Sequence, residues 1–136
     1  MILTRWPGFR LVSRGRNYVW EGKLQPTPLS PVYTIRIVYA DWGSPKTSVV
    51  NPPLARREDA PIPHRYGDGS LCLYLPGEWS SQHYIAETII PWSVLWLHHY
   101  EVWRITGKWL GGGVHLVRPP TAEPTHGHET LPHPVP

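Results

Sequence analysis

Seventeen of the 136 residues are proline. Proline lacks the backbone N–H and its ring clashes with the preceding helical turn, so helix interiors exclude it. A bundle of long helices is therefore ruled out. The length is that of one ordinary domain. A chain of this size buries roughly two-thirds of the surface it would expose unfolded, so it can build a core without covalent staples. Eight Trp against one Phe predict a core of few, large side chains.

Cys72 is the only cysteine. That excludes an internal disulfide and any multi-cysteine zinc or iron–sulfur site, and no metal or cofactor is implied. No apolar run reaches the ~18 residues needed to span a bilayer. Arg5, Trp6 and Pro7 stand where a secretory signal needs its apolar stretch. The expectation is a soluble cytoplasmic protein with a single reduced thiol.

Alternation and turn residues divide the chain. Residues 8–14 and 17–24 are strand-like and flank Gly15 and Arg16, which predicts a hairpin. Residues 32–40 give the clearest strand: Tyr33, Ile35, Ile37 and Tyr39 face one way, Val32, Thr34, Arg36 and Val38 the other. A weaker strand near 47–51 ends at Pro52 and Pro53. The spacing predicts one helix over 91–106, with Pro91 in its first turn and Gly107 at its stop. Trp92, Leu95, Trp96, His99 and Trp103 line one face of it, and Val94, Leu97, Val102 and Ile105 widen the apolar surface. A four-stranded antiparallel meander followed by one central helix is an α+β domain. The folded unit spans 1–117. Six of the residues 118–136 are proline, and so polar a segment reads as a flexible tail.

The stretch with chemistry is Pro63-His64-Arg65-Tyr66-Gly67-Asp68-Gly69-Ser70-Leu71-Cys72-Leu73, followed by Trp79-Ser80. By itself, a cysteine between leucines is more often a small buried hydrophobe than a nucleophile. The pattern around it, however, resembles the active-site stretch of the ubiquitin-conjugating (UBC-like) enzymes. There a His-Pro-Asn is followed by Tyr, an Asp/Asn-Gly pair, an aliphatic residue, the catalytic Cys and a Trp-Ser. Pro63, Tyr66, Asp68-Gly69, Leu71, Cys72 and Trp79-Ser80 match in order and without a gap between Pro63 and Cys72. Ile62 and His64 stand where the family has His and Asn. The family's N-terminal helix and two C-terminal helices are largely missing, and its acidic residue downstream of the Cys has no clear counterpart. The truncation, together with the helix text from Trp92 to Trp109, is similar to a reduced bacterial branch. That branch is found with cGAS-like nucleotidyltransferases in CBASS antiphage operons.

The resemblance implies a UBC-like fold with Cys72 carrying an acyl group as a thioester. The donor would be the C-terminus of a cGAS-like nucleotidyltransferase and the acceptor an amine on an unidentified protein. His64 and Tyr66 are then the candidates for oxyanion stabilisation and amine handling, with Pro63, Asp68, Gly69 and Trp79 supporting the loop. Two other readings compete: a catalytically silent scaffold on the same fold, and a small nucleic-acid-binding module. The module would use Arg5, Arg10, Arg14 and Arg16 among Trp6, Phe9 and Tyr18. A net charge of only +3 places it last, and a protein-docking hairpin suits those arginines better. A cysteine protease built on Cys72 and His64 fits poorly, since no helix N-terminus activates the thiol. His98 and His99 are adjacent on the helix and point about 100° apart, so one should be half-buried and the other exposed. His126, His128 and His133 lie in the tail with no rigid frame for a metal.

Overall fold

The structure is a computed structural model, and it describes residues 2–40 and 43–111. The expected tail, 118–136, lies outside the described residues. The order of elements is α1 (Ile2–Arg5), β1 (Arg10–Arg14), β2 (Asn17–Leu24), β3 (Tyr33–Ala40), β4 (Lys46–Asn51) and α2 (Ile89–Thr106). The strands form one antiparallel sheet in the order β1-β2-β3-β4. This is the expected meander, and the N-terminal helix is reduced to the single turn of α1.

Strand alternation decides which sheet face is packed. Tyr33, Ile35 and Ile37 are buried, while Arg36 is exposed on the other face. Across the ladder, Ile35 pairs with Gly22 and Val49, and Ile37 with Trp20 and Thr47. These rows carry the apolar face from strand to strand. On the outer face, Arg36 and Arg10 both meet Glu21, at 3.0 and 3.9 Å. Gly22 is buried because the Phe9 ring lies on it: a Cβ there would stand 2.3 Å from the ring carbons.

Helix α2 begins two residues before Pro91. Proline is tolerated there because the first turn's N–H groups have no partner within the helix. Gly107 ends the helix in the left-handed region at φ 77°, its N–H donating to Trp103 O at 2.8 Å. The face packed into the core is Ile89, Ile90, Ser93, Trp96, Leu97, Tyr100 and Trp103. The expected stripe is therefore only partly a core stripe. Leu95 is 54% exposed and Ile105 81%, because a single sheet covers one side of a helix and leaves the rest.

Among the described residues, no helix is long and apolar enough to cross a membrane. The loop from β4 to α2 crosses between sheet and helix, and it holds the cysteine.

Candidate active site

Cys72 follows a small closed turn. Arg65 and Leu71 form an antiparallel bridge. Within it Tyr66 N donates to Ser70 O at 2.8 Å and Gly69 N to Tyr66 O at 2.9 Å. Gly69 sits at φ 87°, a conformation glycine adopts without steric cost. Asp68 accepts from the Ser70 hydroxyl, from Ser70 N at 2.9 Å and from Lys46 Nζ at 3.1 Å. These donors, the Ser70 hydroxyl foremost, hold its carboxyl down at about 2. The turn residues of the motif are thus locked by an ionised side chain.

Three further bonds close the turn and tie it to the sheet and the helix. Leu71 N donates to Thr47 O of β4 at 2.8 Å, and Cys72 N donates to His64 O at 2.9 Å. The indole of Trp96, on α2, donates to the same His64 carbonyl at 2.9 Å. His64 itself lies at φ 53°, a region that residues with side chains seldom occupy. Both donors to its carbonyl act against relaxation of that strain.

The Cys72 thiol is half-buried. It donates to the Tyr66 phenol oxygen at 3.2 Å. The contact with Cys72 and partial burial push the phenol up to about 12, so Tyr66 stays protonated throughout the neutral range. A half-buried thiol keeps partial access to solvent, and access is one requirement of a nucleophile.

A cavity of about 500 Å³ opens on one side of the thiol. Its walls are Cys72 and Leu73, His64, the α2 side chains Trp92, Leu95, Trp96 and His99, and Trp109 beyond the helix stop; Glu78 and Gly111 complete it. Trp109 stacks on His64 with ring centres 4.8 Å apart and lies 5.3 Å from Trp96 and 5.9 Å from His99. A second cavity of about 580 Å³ lies on the other side of the loop, lined by Lys46, Tyr66, Asp68, Leu71 and Tyr74 among others; Leu73 lines both.

The structure therefore brings His64 and Cys72 to one cavity and sets Tyr66 against the sulfur. Pro63 is half-buried one residue before His64. Trp79 is buried behind the loop, edge-on to Tyr39 at 5.9 Å, with its indole donating to Thr88 Oγ1 at 3.1 Å.

Sequence reasoning missed the far wall. The sequence places Trp92, Leu95, Trp96 and His99 on one face of the helix, and the same spacing is the signal for a face turned to the cysteine. His98 is exposed and His99 half-buried. Glu78, whose carboxylate accepts from Leu75 N at 2.7 Å, is the acidic side chain among the described residues on this cavity. No group of three or more His, Cys, Asp or Glu among them is placed to hold a metal. His126, His128 and His133 lie outside the described residues.

A comparison with curated proteins finds no match to this chain. The profile of the family described as Type II CBASS E2 protein matches residues 1–116. That span holds the meander, the cysteine loop and the helix that walls the cavity. An E2-like role in antiphage defence follows from the match: the chain belongs to the Type II CBASS E2 protein family.

Proposed function

We propose that the protein is a cysteine-dependent ubiquitin-conjugating-type transferase. The Cys72 thiolate attacks the activated C-terminal carbonyl of a partner protein, and the activating group leaves. The resulting thioester keeps most of the activation. An acceptor amine then attacks the same carbonyl, the C–S bond breaks and the thiolate is regenerated. The partner whose C-terminus is carried is a cGAS-like nucleotidyltransferase, a choice the family match supports.

The observation that carries this reading is the thiol itself, half-exposed beside a roomy cavity and in contact with a phenol that stays protonated. When the sulfur becomes a thiolate, as attacker or as leaving group, the Tyr66 O–H can turn and donate to it. A hydrogen bond to a charged acceptor is roughly twice as strong as a neutral one. The His64 side chain, on a backbone fixed by two bonds to its carbonyl, stands on the same cavity as the sulfur and supplies the oxyanion donor.

Co-expression with a cGAS-like nucleotidyltransferase, followed by non-reducing gels and mass spectrometry, tests the reading. The wild type should give a thiol-labile adduct on Cys72. Cys72→Ser should give a more stable oxygen ester, and Cys72→Ala no adduct. Full conjugation by Cys72→Ala would make the chain a scaffold instead.

A further inference from the structure

We infer that His99 is the proton acceptor for the attacking amine, working from the helix wall of the cavity opposite the cysteine loop. The inference rests on the thioester reading and assigns a step that reading leaves open. An amine reaches a thioester productively only as the neutral base, and after attack its nitrogen carries a proton that must leave. Tyr66 cannot take it, because a phenol held near 12 is protonated and donates. Asp68 lines the second cavity and is committed to Ser70 and Lys46. Glu78 lines the same cavity as the thiol, but its carboxylate is engaged by the Leu75 amide. His64 is the loop-borne oxyanion donor in this scheme.

His99 is the imidazole that α2 contributes to that cavity. Its position is set on two sides. Trp109 folds back after Gly107 and lies 5.9 Å away, ring to ring. At Gly111 the chain passes so near that a Cβ would stand 2.6 Å from the imidazole. The groups around it are His64, Cys72 and Glu78 on the cavity and His98 beside it on the helix, ring centres 5.7 Å apart. Burial first and His98 second push its titration below the ordinary value of 6.5, so at neutral pH it is uncharged and able to accept.

The step balances. The amine nitrogen bonds to the thioester carbon and gives one proton to the neutral imidazole. The C–S bond breaks, the sulfur leaves as thiolate, and the imidazolium returns its proton to the sulfur or to water.

The test uses the full chain loaded on Cys72 by exchange with a short glycine-ending peptide thioester. Discharge of the loaded protein to free lysine is followed from pH 5 to 8.5. General base catalysis contributes about 100-fold or more, so His99→Ala should slow discharge by about that factor while loading is unchanged. Added imidazole should restore part of the rate in His99→Ala and leave the wild type unaffected. The wild-type rate should rise through a step below pH 6.5 that is absent in His99→Ala and moved upward in His98→Ala. His99→Gln, which keeps a polar side chain of similar size, should discharge as slowly as His99→Ala, guarding against mere loss of packing. If either His99 variant loads and discharges like the wild type, or if His99→Ala is slow but imidazole brings nothing back, the assignment is overturned while the thioester reading stands. A wild type that accepts no acyl group on Cys72 overturns both.

Discussion

His64 is the residue at which backbone and chemistry meet. Its φ of 53° lies where asparagine is several-fold enriched among side-chain-bearing residues. The position can therefore take Asn without new strain, and Asn can still donate an N–H to an oxyanion. His64→Asn should keep most discharge activity and the wild-type pH step. His64→Ala should lose about 100- to 1000-fold, the usual result of removing an oxyanion donor, with loading of Cys72 less affected. Discharge assays on the loaded protein check this. If His64→Asn proves as slow as His64→Ala and the pH step disappears from both, the proton acceptor is His64 and not His99. Tyr66 needs no such comparison: pushed up to about 12 by its contact with Cys72 and by burial, it remains a donor wherever the enzyme would work.

At the scale of elements, the sheet and α2 divide the work. The sheet anchors the loop through β4, from Thr47 O to Leu71 N and from Lys46 Nζ to Asp68, and α2 anchors it through Trp96 to His64 O. Packing between β2 and the segment before β1 is just as specific. Phe9, the only Phe and 2% exposed, occupies the space a side chain at position 22 would need. Gly22→Ala should destabilise the fold by about 1–3 kcal/mol, the typical result of forcing extra carbon into a packed core. Thermal denaturation should show a melting temperature lower by several degrees. A variant as stable as the wild type would mean that the Phe9 ring can move off the strand at no cost. The C-terminal end of α2 is shaped by Gly107, whose left-handed turn redirects the chain so that Trp109 returns over the cavity.

For the whole molecule, the core joins the inner face of the sheet to one side of α2, and the cysteine loop closes one end. The described elements end within the first 111 residues. Residues 118–136 lie outside the described residues, and with Ala122, Leu131 and Val135 as their apolar side chains they have little to bury. Removing 118–136 should leave the melting temperature nearly unchanged. A fall of more than ~5 °C, on the order of 1 kcal/mol for a domain this size, would show that the segment packs.

The meander was legible in the residues alone because strand alternation is local: Tyr33, Ile35 and Ile37 against Arg36 needs no partner to be read. The helix and its stop were legible for the same reason, as were the order and spacing from Pro63 to Cys72, which a short turn preserves. What the sequence determined by itself was therefore the four strands, the main helix and the family, and it singled out Cys72 as the candidate nucleophile. The rest waited on the tertiary structure. A periodic pattern shows which helix residues share a face, but not whether that face meets a sheet or a cavity. Trp92, Leu95, Trp96 and His99 share one, and only the placement of α2 beside the loop turned it toward Cys72. His99 is 27 positions from the thiol and Trp109 is 37. No local rule links residues that far apart, because their meeting depends on how the packed elements bring the chain back on itself.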